Sequence, residues 1–126
     1  MIAALLLAQA VAAPELPPAD WSTLPTLPVR TPAGGFDPSG YVRREIAADR
    51  CRVTVAEGKA ELAASVAVLI DGKGVVQRIV PHAIDCPTVE QYTAGYVSTL
   101  ARRAVAAGAE WKPGWYRHVV TYRWGG

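Results

Sequence analysis

The sequence is poor in the residues that usually build catalytic and metal sites. Among 126 residues it has two histidines, two cysteines and one methionine. His82 and His118 do not fit the ligand spacing of a zinc finger or of an H-E-x-x-H helix. We therefore expect no catalytic residues, no bound metal and no cofactor, and we predict that the protein is not an enzyme.

A strong excess of charge of one sign is also missing. The net charge is +2, and only 19% of the residues are charged. Residues 41–126 hold most of the basic side chains, with twelve Lys and Arg against eight acidic residues. Domains that bind nucleic acids usually carry a denser basic stripe on one face. The composition therefore argues against a nucleic-acid partner.

No apolar run reaches the about 20 residues that a membrane helix needs. Residues 1–13 are apolar but short, and small residues fit the A-x-A pattern of signal-peptide cleavage at Ala8 and Ala10 or at Ala10 and Ala12. No basic residue precedes this run, and a buried N-terminal helix is the alternative interpretation. We predict a signal peptide over 1–13, a periplasmic or secreted protein, and no membrane span after cleavage.

The two cysteines agree with export. An even number of cysteines in a small exported chain favours a disulfide bond, here between Cys51 and Cys86. Such a bridge would contribute about 3 to 4 kcal/mol to the free energy of unfolding. The alternative is a reactive Cys86 thiolate at a helix N-terminus near His82, which would indicate a thiol enzyme. No C-x-x-C motif accompanies it.

Proline is concentrated ahead of the predicted domain. Seven of the ten prolines lie in residues 14–40. Prolines at this density favour extended polyproline II and remove backbone donors, so we predict a semi-stiff tether here rather than a folded unit. Trp21 and Phe36 are its only aromatic residues, and either could anchor the tether on the domain. A proline-rich ligand for an aromatic groove is the less common alternative.

The most distinctive stretch is Ser65–Val80, in which two β-branched runs flank an Asp-Gly-Lys-Gly turn. The glycines supply the positive φ angles of a tight reversal, so the pattern predicts a β-hairpin. Pairing Ile70 with Val75 sets Val68 against Gln77. This register places the following residues on one apolar face: Val66, Val68, Ile70, Val75 and Ile79.

A long amphipathic helix is predicted after the hairpin. Pro87 suits the first helical position, and Thr88 with Gln91 matches the capping-box pattern. Apolar residues recur at three- and four-residue steps, which predicts one buried stripe composed of Val89, Tyr92, Tyr96, Leu100 and Ala104.

Three further elements complete the predicted fold. Ser39 can cap a short helix through Tyr41, Ile46 and Ala47, with a turn as the alternative, and Cys51–Val55 alternates like a short strand. Trp115–Trp124 has the period of two that is typical of a closing strand. The predicted class is α+β: an antiparallel sheet of three to four strands in the order β-β-β-α-β, with one long helix packed across one face, in a domain over 41–126.

The segment from Ala64 to Trp124, about half of the chain, resembles the C-terminal domain of TonB, the periplasmic energy transducer of Gram-negative bacteria. The matching features are the Asp-Gly-Lys turn at Asp71, the strand and helix after it, the Trp-Lys-Pro-Gly segment at Trp111 and the alternating closing strand. The Cys-Pro pair at Cys86 is similar to that of exported members of the wider superfamily. The resemblance implies the α+β fold described above.

The resemblance also implies a function in binding. TonB-like C-terminal domains pair a sheet edge with a short extended peptide of a partner, which is strand addition. For this chain the implied partner is an extended segment of an envelope protein, for example an outer-membrane transporter, and pairing of two such edges would instead give a homodimer. The implied binding residues are Trp115, Arg117, Val119, Thr121, Arg123 and Trp124.

The sequence departs from that of a working transducer. A transducer has an uncleaved membrane anchor and a long spacer, whereas the tether of about 25 residues here reaches roughly 80 Å at a rise of about 3.1 Å per residue. We therefore expect a soluble, exported binding module. The alternative is a disulfide-stabilised structural or envelope-assembly protein that captures no peptide.

Overall fold

The computed structural model describes residues 16–29, 39–48 and 61–123 of the chain. The elements, in chain order, are a short 3-10 helix Trp21–Thr23, helix α1 (Ser39–Ala47), strands β1 (Glu61–Ile70) and β2 (Val76–Pro81), helix α2 (Pro87–Ala106) and strand β3 (Gly114–Arg123). The strands form one antiparallel sheet. The predicted α+β class, with a small antiparallel sheet and one long helix, is therefore confirmed.

Strand β1 lies at the centre of the sheet, whose order is β2-β1-β3. Its last five residues are all buried. Strand β3 pairs with it without a break, from Glu61 opposite Arg123 to Ile70 opposite Gly114. A strand that is buried on both faces needs a neighbour on each side, because its backbone groups cannot reach water. The burial of β1 therefore explains its central place.

The predicted hairpin register is wrong by two residues. Val68 lies opposite Ile79, not opposite Gln77, and Ile70 lies opposite Val76. The register changes again by one residue at a β-bulge between the last two pairs of the ladder. A shift of two residues leaves every β1 side chain on its predicted face, since side chains alternate with a period of two. The buried apolar face of β1 is therefore predicted correctly.

The side chain of Asp71 explains the shift. Its Oδ1 accepts hydrogen bonds from the backbone N–H groups of Lys73 at 2.8 Å and Val75 at 2.9 Å. Its Oδ2 accepts one from the Gln77 amide at 2.8 Å. The Val75 N–H, followed by the Lys73 N–H, lowers the pKa of Asp71. These bonds hold Val75 in the turn, where it is 47% exposed, and Val76 packs against the core instead. The predicted place of Val75 on the apolar face is therefore wrong.

Helix α2 packs against β1 and β2, and its buried stripe is rotated from the predicted one. The buried residues are Val89, Thr93, Val97, Leu100 and Ala101. Tyr92 and Tyr96 lie at the border of the stripe and are partly buried. Tyrosines favour such positions because the ring is apolar and the hydroxyl is polar. Tyr92 also stacks on Tyr41 of α1, with ring centroids 4.4 Å apart.

Thr93 is a polar residue in the middle of this stripe and has no exposed surface. Its Oγ1 donates to the Val89 carbonyl at 2.7 Å and lies 2.6 Å from the Tyr122 hydroxyl of β3. Because the single hydroxyl proton of Thr93 goes to Val89, Tyr122 is the donor of the second bond. Burial raises the pKa of Tyr122 to about 12, so this donor keeps its proton at neutral pH. These bonds connect α2 to β3.

Helix α2 begins at Pro87 as predicted, but a different residue caps it. Cys86 is the N-cap, and its side chain makes no capping hydrogen bond. The Glu90 carboxylate instead accepts from the backbone N–H of Ile84 at 3.0 Å and of Cys86 at 3.1 Å. A carboxylate in the first turn also interacts well with the positive end of the helix dipole. The predicted capping box, with Gln91 as its acceptor, is therefore wrong.

Some predicted features lie outside the described residues. They are the signal peptide over 1–13, the strand Cys51–Val55 and the last binding residue, Trp124. Within the three described ranges, no helix has the length and apolar character to cross a bilayer.

Thr93→Val should destabilise the protein more than Tyr122→Phe. Valine copies the shape of threonine but leaves the buried Tyr122 hydroxyl without an acceptor, which should cost about 1 to 3 kcal/mol in the free energy of unfolding. Phenylalanine leaves Thr93 bonded to Val89, so the expected loss is about 0.5 to 1.5 kcal/mol. Urea unfolding monitored by circular dichroism measures both losses.

Thr99→Val is the matched control for this pair. Thr99 makes the same type of bond, from Oγ1 to the Gly95 carbonyl at 3.1 Å, but on the exposed side of α2. Thr99→Val should lower the free energy of unfolding less than Thr93→Val does, because water can replace the lost bond. If Thr93→Val and Thr99→Val have equal effects, the assigned role of the buried hydroxyl pair is wrong.

Candidate functional site

The candidate site is the outer edge of β3, the edge that faces away from β1. Part of this edge is already paired with the N-terminal segment. The Arg117 N–H donates to the Pro25 carbonyl at 2.8 Å, and the Leu27 N–H donates to the Arg117 carbonyl at 2.8 Å. Together these bonds make a parallel bridge between Thr26 and Arg117. A segment of this chain is therefore paired with the β3 edge through one isolated parallel bridge.

The prolines of this segment fit the hydrogen-bond pattern. Pro25 only has to accept a bond from β3, and the donor is Leu27, which is not a proline. Pairing stops after one bridge, because the Val29 N–H bonds to the Leu27 carbonyl at 2.9 Å and turns the chain at Pro28. Residues 25–29 therefore contact the domain, which the predicted anchors Trp21 and Phe36 did not include.

Leu27 fixes the segment to the core. Its side chain is 1% exposed and belongs to the main core cluster. Leu24 is also buried, at 9% exposure. Trp21 contacts a different part of the domain, in a T-shaped arrangement with His82 at a centroid distance of 5.1 Å. The contacts of residues 21–29 thus extend from the end of β2 to the edge of β3.

Arg123 lies at the far end of the same edge, and its groups are also engaged. Its backbone N–H donates to Ser39 Oγ of α1 at 2.9 Å. Its Nε lies 2.8 Å from Glu61 Oε2, and Glu61 is the residue directly opposite it on β1. Both side chains are largely exposed, so this ion pair orients Arg123 more than it stabilises the fold.

Val119 and Thr121 form the open part of the edge. Backbone groups alternate in direction along a strand, so these residues point outward like Arg117 and Arg123. No hydrogen-bond partner for their outward groups exists among the described residues of the chain. Both side chains are exposed, that of Val119 to 42%. An additional strand could therefore pair here without breaking any contact of the sheet.

The structure thus brings five of the six predicted binding residues onto one strand. Arg117, Val119, Thr121 and Arg123 share the outward direction, and Trp115 precedes them. Trp115 is half-buried, and its indole N–H is buried without a partner within the described part of the chain. The sixth residue, Trp124, is the one outside the described residues.

Sequence reasoning missed the contribution of the N-terminal segment. The signal for it is present: Leu24, Leu27 and Val29 are aliphatic residues among prolines, whereas a solvated spacer has no need of aliphatic side chains. The proline density led to the opposite interpretation, because prolines usually indicate a spacer.

His118 is a partly buried titratable group on β3. Burial lowers its pKa, and a hydrogen bond with the Leu27 backbone opposes this effect in part. Its Nδ1 is buried and has no hydrogen-bond partner in the described ranges. A neutral imidazole fits this environment, because a charged ring would lack a second acceptor.

The cysteine region does not provide an accessible nucleophile. Cys86 has no exposed surface, and the part of the chain that is described holds no free cysteine. A reactive thiol has to be accessible as a thiolate, and the neighbouring histidine, His82, contacts Trp21. The pairing of Cys86 with Cys51 stays a prediction, because Cys51 lies outside the described residues. No cluster of metal-binding side chains occurs within those residues either.

Acidification should destabilise the protein through His118. A histidine with a lowered pKa in the folded state takes up its proton more readily in the unfolded state. The stability is therefore complete above the ordinary value of 6.5 and falls as the pH drops from there toward the lowered folded pKa. Urea unfolding at about pH 7.5 and about pH 5 should show a larger loss for the wild type than for His118→Asn.

His82→Asn is the control for this experiment. It removes the other histidine and keeps His118, so the pH dependence should persist. A His118→Asn protein with the full wild-type loss at low pH would show that a different group is responsible.

Comparison of the chain with protein-family models, with curated proteins and with solved structures finds no match. The resemblance to TonB therefore rests on the order of elements and motifs in the sequence, and the candidate site rests on its geometry.

Proposed function

We propose that this protein is a binding module that captures an extended segment of a partner by strand addition at the outer edge of β3. The observation that carries the proposal is the parallel bridge between Thr26 and Arg117. It supports the proposal because a non-sheet segment already uses this edge as a pairing partner.

The open half of the edge supports the same function. Val119 and Thr121 offer outward backbone groups on a strand that is held rigidly from its other side by continuous pairing with β1. Backbone hydrogen bonds give affinity for an extended chain, and adjacent side chains give specificity. The exposed aliphatic side chain of Val119 suits an apolar contact with such a guest.

The proposed setting is the cell envelope. The predicted signal peptide places the module in the periplasm or outside the cell, and the resemblance to TonB C-terminal domains favours an extended segment of an envelope protein, such as an outer-membrane transporter, as the guest. The sheet order β2-β1-β3 with a helix across one face agrees with the fold that this resemblance implies. The module acts without a cofactor and without nucleic acid.

A second candidate is a structural or envelope-assembly protein that captures no peptide. The observation in its favour is that residues 24–29 pack on the domain and cover part of the edge. In this case the edge is protected rather than offered, which is a common way to prevent aggregation of sheet proteins. Pairing of two β3 edges in a homodimer is the remaining use of the same surface.

Photo-crosslinking in the producing cells tests the proposal. A photoreactive residue at position 121 should form adducts with an extended segment of an envelope protein, identified by mass spectrometry. The same residue at position 73, in the hairpin turn, should form none of these adducts. Adducts with a second copy of the chain only would show the homodimer, and adducts with cell-wall or assembly components only would favour the second candidate.

Val119→Pro should reduce the specific adduct at position 121. Proline removes the outward N–H of residue 119 and leaves the ladder with β1 intact, because edge strands tolerate proline on the free side. Loss of one backbone hydrogen bond corresponds to about tenfold weaker binding. Val119→Thr, which keeps the N–H, is the matched control and should retain the adduct. If the two variants give the same yield, the guest does not bind by strand addition at this residue.

A further inference from the structure

We infer that residues 24–29 are a built-in ligand of the β3 edge, which the partner segment has to displace. The inference rests on the proposed function. It also gives the chemistry of the partner: an extended segment that runs parallel to β3, with a buried aliphatic side chain at the place of Leu27.

Residues 24–29 are attached to the sheet by few bonds, as a bound peptide ligand would be. Within the described part of the chain, the segment's one bridge to the sheet uses Arg117, whereas β3 pairs with β1 along its whole length. Few backbone bonds and few buried side chains, here Leu24 and Leu27, allow a segment to open locally without unfolding of the domain. The segment can therefore leave while the β3 edge keeps its shape.

The side chain of Leu27 defines what the site accepts. It is almost fully buried, and its backbone is fixed by bonds to Arg117 and Val29. A guest without an aliphatic side chain at this place would leave a cavity next to the core, which is costly. The site therefore selects Leu or a similar residue at one position of the guest.

The hydrogen bonds define the neighbouring positions. The guest has to supply an acceptor at the place of Pro25 and a donor at the place of Leu27. Thr26 lies between them, and in a parallel bridge its own N–H and carbonyl point away from β3. Proline is therefore acceptable before and after the anchor but not at the anchor itself, which gives the pattern Pro-x-aliphatic for the guest.

The turn at Pro28 explains why a guest segment can displace residues 24–29. The next pair of bonds to β3 would use the Leu27 carbonyl and the Val29 N–H, but these two groups bond to each other instead. For this reason the segment makes no backbone hydrogen bonds with Val119. A guest that stays extended pairs at Arg117 and continues to Val119 and Thr121, so it makes more backbone bonds than the segment it replaces.

The test uses the full chain, labelled with 15N, and a synthetic acetylated peptide of residues 24–29, Leu-Pro-Thr-Leu-Pro-Val. Leu27→Ala removes the anchor and keeps the backbone donor, so the segment should be released and the Arg117 amide should exchange faster with solvent. The peptide should then bind Leu27→Ala about tenfold more tightly than the wild type, because its site is no longer occupied. Chemical-shift changes should centre on Arg117 and Val119.

Controls keep the result interpretable. Leu16→Ala makes the same substitution at a leucine that is 71% exposed, and it should bind the peptide like the wild type. Slow exchange of the amides of α2 and β1 shows that Leu27→Ala is folded. If the Leu27→Ala protein is not folded, Leu27→Val, which keeps most of the side chain, takes its place. It should also bind the peptide more tightly than the wild type does, but by a smaller factor.

The outcomes separate this inference from the proposed function. Equal peptide affinity for the wild type and Leu27→Ala, or no binding to either while the Arg117 amide is exposed, would overturn the built-in ligand. Partner adducts at position 121 would then still support capture at the edge, independent of the segment. Tighter peptide binding to Leu27→Ala without any partner adduct would support the inference and contradict the proposed guest.

Discussion

The continuous pairing of β1 with β3 is the interaction on which the rest of the structure depends. It runs from Glu61 opposite Arg123 to Ile70 opposite Gly114. Because β1 is buried and central, its backbone is satisfied only when both neighbours are present. The same pairing fixes which backbone groups of β3 face outward. The candidate site is therefore a consequence of how the core strand is satisfied.

An outward row of backbone groups on an edge strand has to be managed, since it can pair with any extended chain. In this protein the two ends of the row are engaged differently. At Arg117 the partner is a backbone segment, while at Arg123 it is the Ser39 hydroxyl of α1. A hydroxyl blocks one donor only, whereas a paired segment also places a side chain in the core. The edge is thus protected at both ends and open at Val119 and Thr121.

The fold class and the apolar face of β1 could be predicted from the sequence because they follow from long periodic patterns. The hairpin register could not, since it depends on one carboxylate: Asp71 binds two backbone N–H groups and moves Val75 into the turn. The prediction of the α2 cap was wrong for a similar reason, because the Glu90 carboxylate accepts hydrogen bonds from the backbone N–H groups of Ile84 and Cys86. Single side chains that bind backbone groups leave no periodic signal.

The sequence predicts β3 as a strand, but it does not predict that residues 24–29 pair with its edge. The cause is again physical. Proline density predicts an extended backbone correctly, and an extended backbone is also what pairing requires. What decides between spacer and strand is the place of the donors and of the aliphatic side chains. Leu27 has both a backbone N–H that bonds to β3 and a buried side chain, whereas the prolines on either side have no backbone N–H. A proline-rich segment with this spacing therefore combines the low entropy of an extended chain with a specific place to bind.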